Sequence, residues 1–283
     1  MSLPIRVRSR LPSSERPAPP KLPSNMKVLF IGDIVGKSGR NALREHLPFL
    51  REKYQPDIVI VNGENSAHGK GITRKIYDLF VELGVDCVTL GNHAFSKDNI
   101  LTFINSADRL IRPANMFPAS IGKPYLIIEK NDLKVGIYNI YGSIFMDNCT
   151  ESPFSAMDKL IDNTDCDIRI VDFHGEATSE KQAFMHYFKD RVQLIVGTHT
   201  HVQTADEDIF DGCGYLTDVG MTGPYLSVLG RDVDEVLDMM VSGEKTRYTV
   251  SENPAILCGL FCEISDSEKK AKFIERIQIK PEC

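Results

Sequence analysis

The sequence lacks several features that would assign it to a common protein class. The longest apolar run covers only residues 254–261, whereas a bilayer span needs roughly 20 apolar residues. Seven cysteines are scattered along the chain without a CxxC pair, which indicates free thiols in a reducing compartment. Gly32, Gly36 and Gly39 match neither GxGxxG nor GxxxxGK[ST], so the common nucleotide-binding loops are excluded. We therefore expect a cytoplasmic protein that does not enter a membrane.

Basic residues are scarce outside the N-terminus. The 283-residue chain has a net charge of −6, but residues 1–25 hold five basic side chains and one acid, so the remainder carries −10. This acidic remainder disfavours long nucleic acids, which bind through neutralisation of their phosphates. Residues 1–25 also contain six prolines and no periodic apolar pattern. They predict a disordered arm or an added leader, with an organelle transit peptide as the weaker alternative, ahead of a single domain over residues 26–283.

Apolar runs alternate with amphipathic segments in the first part of the chain. They predict strands at 27–31, 57–61 and 86–90 and helices at 38–53, 73–83 and 97–103. In the first of these helices, Leu43, Leu47 and Leu50 fall on one face. Strands that alternate with helices at this spacing are typical of a largely parallel sheet.

The later segments predict a different pairing. Hairpins are predicted at 125–130 with 134–140 and at 256–264 with 272–279, strands at 168–173 and 192–196, and a helix at 181–188. The chain therefore mixes parallel units with antiparallel pairs and shows neither an internal repeat nor a second apolar domain. An α/β fold with two sheets packed as a sandwich and flanked by helices fits this order best.

Residues of metal-ligand type follow several of the predicted strands. The segments are Gly32-Asp33, Asn62 to Asn65, Gly91 to His93 and Gly197 to His201. Each segment alone is unremarkable as a turn, but in series they place carboxylates, amides and imidazoles at neighbouring strand ends. Oxygen and nitrogen donors gathered in this way suit a pair of divalent metals, and such a pair suits hydrolysis of a phosphate ester.

The histidines differ in how strongly they indicate a metal. His199 and His201 lie two positions apart after a buried strand, so in an extended segment both imidazoles would face one site. His174 follows the strand at 168–173 and is equally a ligand or an ordinary strand-end histidine. His68 lies in a glycine-rich segment and is either a loop residue or part of a substrate entrance. We expect His199 and His201 to bind metal.

The order of these motifs resembles that of the calcineurin-like metallophosphoesterases. More narrowly, it is similar to the bacterial branch that acts on 2′,3′-cyclic nucleotides as a 2′-phosphodiesterase. Val35 stands where most of the superfamily has the histidine of Asp-x-His, and Glu64-Asn65 stands in place of the usual Gly-Asp. The segment 218–224 (Asp-Val-Gly-Met-Thr-Gly-Pro) is also typical of the branch. The resemblance extends from about residue 26 to the C-terminus.

The resemblance implies two metal sites that share Glu64. The first would use Asp33, Glu64, Asn65 and His201, and the second Glu64, Asn92, His174 and His199. The implied metals are two iron ions, with manganese as the alternative, since mixed imidazole and oxygen ligands accept both. His93 corresponds to the proton donor of the family.

The implied reaction converts a 2′,3′-cyclic nucleotide to a nucleoside 3′-monophosphate. A metal-bridging hydroxide would attack phosphorus while His93 protonates the leaving ribose oxygen. Three alternatives stay open in the sequence: a broader phosphatase or 3′,5′-cyclic-nucleotide phosphodiesterase, a nucleotide-binding regulatory protein with little turnover, and a nuclease acting on short oligonucleotides. Lys70 and Arg112 are candidate phosphate contacts, and Tyr225 either stacks on a base or packs. A homo-oligomer is also left open.

Overall fold

The computed structural model describes residues 24–282. The predicted N-terminal arm therefore lies outside the described residues, apart from its last two positions, and Asn25 already belongs to the first strand. The strands are β1 (Asn25–Ile31), β2 (Asp33–Ile34), β3 (Ile58–Asn62), β4 (Cys87–Thr89), β5 (Tyr125–Lys130), β6 (Leu133–Tyr141), β7 (Ile168–His174), β8 (Leu194–Thr198), β9 (Asp208–Phe210), β10 (Cys213–Leu216), β11 (Met221–Pro224), β12 (Ala255–Ser265) and β13 (Ala271–Ile279). The α-helices are α1 (Gly36–Tyr54), α2 (Arg74–Glu82), α3 (Pro153–Asp162), α4 (Thr178–Phe188) and α5 (Val233–Leu237).

Two sheets account for these strands in the described part of the chain. One has the order β2-β11-β12-β1-β3-β4 with β13 paired to β12, and the other has the order β5-β6-β7-β8-β10-β9. β1, β3 and β4 run parallel, as do β6, β7, β8 and β10. Antiparallel pairs add β5 to β6 and β12 to β13, so both predicted hairpins are confirmed.

The sheets pack face to face through a continuous apolar layer. Phe30 contributes to this layer from the first sheet, and Ile137 and Ile170 contribute from the second; all three are fully buried. The outer face of the first sheet is covered by α1 and α2, where Leu47 is buried, and that of the second by α3 and α4, where Phe184 is buried. The predicted two-sheet sandwich flanked by helices is thus confirmed.

Local sequence signals explain where several helices begin and end. The Thr73 hydroxyl accepts the N–H of Ile76 at the start of α2, and Gly84, with a φ of +78°, follows its end. Ser152 caps α3 in the same way by accepting the N–H of Phe154. The helix predicted at 97–103 is instead a pair of short 3₁₀ helices, Asp98–Thr102 and Ile104–Ser106.

The carboxyl ends of the parallel strands place the site. β1, β3, β4, β7 and β8 each end at or just before one of the predicted ligand segments. Parallel strands in packed α/β sheets present their carboxyl-end loops along a common edge, where ligands usually bind. Within residues 24–282, no helix combines the length and apolar character that a bilayer crossing demands.

Candidate metal centre

Loops at five strand ends bring the predicted ligands together. Asp33 follows β1, Glu64 and Asn65 follow β3, Asn92 follows β4, His174 ends β7, and His199 and His201 follow β8. Ligand atoms of Glu64, His174 and His199 all lie within 4.8 Å of one another, and so do those of Asp33, Glu64 and His201. Glu64 belongs to both groups, which is the arrangement of two neighbouring metal sites with a shared carboxylate.

The group around His174 contains closely spaced electron-pair donors. His174 Nε2 lies 3.3 Å from Glu64 Oε1 and 3.1 Å from His199 Nδ1. Asn92 Oδ1 lies 2.9 Å from His174 Nε2 and 3.3 Å from each carboxylate oxygen of Glu64. Amide, carboxylate and imidazole lone pairs that face each other repel unless a positive charge lies between them. A divalent cation coordinated by these four side chains would remove that repulsion.

The group around Asp33 leaves a buried oxygen without a partner. Asp33 Oδ2 lies 3.4 Å from His201 Nε2, whereas Asp33 Oδ1 is buried and accepts no hydrogen bond within the described residues. An orphaned buried carboxylate oxygen is costly, and a coordinated cation would satisfy it. Asn65 Nδ2 lies 2.9 Å from both Glu64 Oε1 and His201 Nε2. Coordination by the amide oxygen of Asn65 would therefore require a half-turn of its amide. The remaining donors fit a divalent cation as they stand.

Hydrogen bonds behind the histidines orient their rings. The Thr198 hydroxyl donates to Asp172 Oδ1 at 2.7 Å, so it accepts the proton of His174 Nδ1 at 2.8 Å. His201 Nδ1 donates to the carbonyl of Leu229 at 3.1 Å. Because the Nδ1 atoms of both rings carry the proton, their Nε2 lone pairs point at the centre. Ring partners of this kind fix the metal-binding tautomer of a histidine.

The turn that carries His199 and His201 is not extended. His199 has a φ of 101° and His201 a φ of 66°, and these left-handed conformations are strained for residues other than glycine. His199 joins Glu64 and His174, whereas His201 joins Asp33 and Glu64. The prediction that an extended segment aims both rings at the same place was therefore wrong in its geometry, although both rings do reach the centre.

The environment keeps most of the imidazoles neutral, which is their metal-binding form. Burial lowers the pKa of His199 to about 3 and also lowers the pKa values of His93 and His201. For His174, burial lowers the pKa, but the negative charge of Glu64 opposes this and raises the pKa to about 9. Glu64 thus attracts positive charge to His174 Nε2, and a cation would compete with the proton for that position.

A cavity of about 340 Å³ opens onto the centre. One side is lined by Glu64, Asn65, Asn92, His93, Glu176, His199 and His201, and the other by Leu229, Arg231, Val236, Met240 and Tyr248. The second wall comes entirely from residues 226–250, between β11 and β12, and was not predicted. The segment was overlooked although Val233, Val236 and Met240 recur at intervals of three and four residues, a helical signal that was present in the sequence.

The predicted substrate contacts are only partly supported by the structure. Arg112 is buried and donates to backbone carbonyls of the loop that follows it, so it is not free to bind phosphate. Tyr225 lies away from the cavity, with Lys280 over its ring at 5.7 Å, and therefore packs. Lys70 lies over the ring of Tyr248 at 4.8 Å, and its positive charge adds to the burial that lowers the pKa of His93. Lys70 is therefore close to the predicted proton donor.

Comparisons with known proteins cover nearly the whole chain. A family model described as YmdB-like protein matches residues 29–277. The 2′,3′-cyclic-nucleotide 2′-phosphodiesterase of Bacillus subtilis (strain 168) is 43% identical over 257 residues, which are 90% of this chain and 97% of that protein. A crystal structure of a Mycoplasma pneumoniae protein described as a novel phosphatase has a TM-score of 0.88 and 40% identity, covering 91% of this chain and 94% of that chain. A crystal structure of a hypothetical protein from Thermus thermophilus has a TM-score of 0.84 and 37% identity, covering 90% of this chain and 99% of that chain. The range matched by the family model contains all seven predicted ligands and His93.

Proposed function

Because this chain belongs to the YmdB-like family, and is a phosphate-ester hydrolase of the calcineurin-like metallophosphoesterase fold, we propose that it hydrolyses 2′,3′-cyclic nucleotides. The product would be the nucleoside 3′-monophosphate, so the bond that breaks joins phosphorus to the ribose 2′ oxygen. The observation that carries the proposal is the convergence of two donor groups on a shared Glu64 at the floor of a cavity. The Bacillus subtilis relative is named for the same substrate class.

The two donor groups would hold two divalent cations. Asp33, Glu64 and His201, with Asn65 beside them, would bind one, and Glu64, Asn92, His174 and His199 would bind the other. Bound iron or manganese would supply Lewis acidity that activates water and polarises the phosphate oxygens. The orphaned Asp33 Oδ1 and the lone pairs that surround Asn92 Oδ1 support this assignment.

We assign to His93 the role of protonating the leaving 2′ oxygen. Its backbone N–H donates to Glu64 Oε2 at 3.1 Å, which fixes the residue against the shared ligand. Its Nδ1 lies 3.2 Å from Ser96 Oγ, and its Nε2 lies 3.3 Å from Asn92 Nδ2 at the cavity wall. Burial lowers the pKa of His93, so the ring is mainly neutral in the free protein, and the negative charge of the bound phosphate would have to raise this pKa for His93 to donate a proton.

The second wall of the cavity would bind the nucleoside. Leu229, Val236 and Met240 present apolar side chains that suit the face of a base. Lys70 and Arg231 both lie over the ring of Tyr248, at 4.8 and 4.7 Å from its centre. Arg231 is paired with Glu235 at 2.9 Å, so Lys70 is the cation at Tyr248 that would face the charge of the substrate phosphate.

Metal analysis coupled to a substrate panel tests the proposal. The panel contains a 2′,3′-cyclic nucleotide, the matching 3′,5′-cyclic nucleotide and bis(p-nitrophenyl) phosphate. We expect two metal ions per chain, the highest kcat/KM for the 2′,3′-cyclic nucleotide and a 3′-monophosphate product. Equal or faster turnover of the other two substrates would indicate the broader phosphatase or phosphodiesterase instead. Bound metal and nucleotide without turnover would favour a regulatory binding protein.

His93→Ala tests the assigned proton donor. We expect kcat for the cyclic nucleotide to fall about 10²- to 10⁴-fold, the usual contribution of a general acid, while metal content is preserved. Turnover of the nitrophenyl diester should fall less, because nitrophenolate leaves without a proton. His186→Ala is the matched control, since His186 is exposed on α4. Loss of metal from His93→Ala would make the residue structural rather than catalytic.

A further inference from the structure

A groove rich in basic side chains lies between α1 and α2. We call it the basic groove, and its polar lining includes Lys37, Arg40, Arg44, His68, Arg74 and Lys75. Five of these residues are cationic at neutral pH, against two acids in the same lining, Asp78 and Glu82. The groove encloses about 1010 Å³. It is a local concentration of positive charge on an otherwise acidic chain.

Most of this positive charge is not neutralised within the protein. Arg74 pairs with Asp78 at 2.7 Å, whereas in residues 24–282 neither Lys37, Arg44 nor Lys75 forms an ion pair. Arg40 donates to a backbone carbonyl, and its pKa is lowered by burial and then by the charge of Arg44. Like charges that remain close together without carboxylate partners favour an external anion.

The basic groove lies near the active-site cavity, and residues around Gly69 separate the two. His68 lines both the basic groove and a smaller adjoining cavity, and that cavity also contacts Val250. Val250 and Tyr248 both lie against Gly69, and Tyr248 lines the active-site cavity. The N–H of Gly69 donates to the carbonyl of Asn65 at 3.1 Å, so the segment around Gly69 is hydrogen-bonded to a candidate metal ligand. A chain-like substrate bound at the centre would reach the groove by passing over this separating segment, beside Lys70.

We propose that the basic groove binds the phosphodiester backbone of a short oligoribonucleotide whose 3′-terminal 2′,3′-cyclic phosphate occupies the metal centre. This inference rests on the proposed function. In such a substrate the chain continues from the 5′ oxygen of the terminal nucleoside, so its next phosphates need positive charge beside the cavity. The charge is confined to one groove, and the rest of the chain is acidic, so binding would reach only a few phosphates and would exclude long polymers.

The test compares a cyclic mononucleotide with a tetraribonucleotide that ends in the same 2′,3′-cyclic nucleotide. We expect a lower KM for the tetranucleotide and a similar kcat, because the added contacts lie away from the reacting bond. If two phosphates are neutralised, a salt slope of about −0.7 per contact predicts that raising salt from about 50 to about 200 mM reduces the tetranucleotide's advantage about sevenfold. The mononucleotide serves as the reference for salt effects on the centre itself.

Charge-reversal variants locate the binding surface. Lys37→Glu/Lys75→Glu should remove most of the tetranucleotide's advantage and leave kcat/KM for the mononucleotide within about twofold. The control Lys130→Glu/Lys270→Glu makes the same change in total charge at two exposed lysines outside the groove. It should preserve the advantage, because only local charge contacts the phosphates.

The outcomes separate this inference from the proposed function. If neither substrate is hydrolysed, the proposed function fails. If the mononucleotide is hydrolysed but the tetranucleotide has no advantage, the proposed function stands and the groove assignment is wrong. Equal loss of the tetranucleotide's advantage in both charge-reversal variants would also overturn the groove assignment, since the lower KM for the tetranucleotide would then depend on the net charge of the protein. Loss confined to Lys37→Glu/Lys75→Glu supports the groove.

Discussion

A buried ion pair beneath the turn after β8, which carries His199 and His201, should control the stability of the candidate centre. Lys181 Nζ donates to Asp218 Oδ2 at 2.7 Å and to the carbonyl of Thr198 at 2.8 Å. Both charged side chains are 1% exposed. Asp218 also accepts the N–H groups of Thr200 at 3.1 Å and Gly220 at 2.9 Å. The pair therefore connects α4 to both segments that support the turn.

Replacing Lys181 with methionine keeps an unbranched apolar stem but leaves Asp218 buried without a counter-charge. Loss of one partner from a buried pair costs about 3–5 kcal/mol, a large share of the 5–15 kcal/mol typical of a folded domain. Lys272 and Glu268 form a pair with the same 2.7 Å distance, but their side chains are 40% and 59% exposed. Lys272→Met should cost only about 0.3–0.5 kcal/mol.

Urea unfolding of the two variants measures this difference. Unfolding is followed by circular dichroism in the presence of a chelator, so that metal binding to the folded state does not add to the free energy of unfolding. A cost below about 1 kcal/mol for Lys181→Met would refute the reasoning, because the buried pair would then behave like an exposed one. Metal titration of the folded variant should also show weaker binding, since the displaced turn carries His199 and His201.

Three further substitutions test the centre directly. A methyl group in Gly91→Ala would collide with the Glu64 carboxylate and the His174 ring, so metal content and activity should fall with an unchanged circular dichroism spectrum. Thr198→Val removes the acceptor of His174 Nδ1, and equilibrium dialysis should show metal affinity reduced about 10- to 100-fold; unchanged affinity would contradict the assigned tautomer. Glu64→Ala should lose both metals in elemental analysis, and retention of one at full affinity would contradict a shared ligand.

Burial periodicity determined how much of the fold could be predicted. The strands β1, β3, β7 and β8 are largely apolar runs, which indicates burial on both faces of the sheet. The helices α1 and α2 repeat their apolar residues at helical spacing, which indicates one buried face. β10 and β11 were missed because each has only four residues and contains a glycine, so neither forms a continuous apolar run. α3 was also missed, although Ser152 followed by Pro153 is an N-terminal helix signal that was present in the sequence.

The convergence of the candidate ligands could be predicted because each lies at or after the end of a strand whose direction is set by the sheet. The turn at His199 and His201 could not be predicted, since its positive φ values occur between backbone groups that are bonded to Lys181 and Asp218, which lie elsewhere in the chain. Arg112 had the composition of a phosphate contact, but the fold supplies backbone carbonyls that occupy its guanidinium. Residue type thus predicted the donors, whereas the partners of charged side chains depended on tertiary contacts.

The distribution of charge links the centre to its substrate range. Asp33 and Glu64 bring negative charge to the floor of the cavity, so phosphate binding there depends on the cations that these residues would hold. Lys70 and the basic groove extend the positive region by a short distance, and the acidic remainder of the chain surrounds it. The affinity for a substrate would increase when a few of its phosphates lie along this region, and it would decrease when the substrate extends further over the acidic surface. Substrate length would therefore be limited by charge as well as by the size of the cavity.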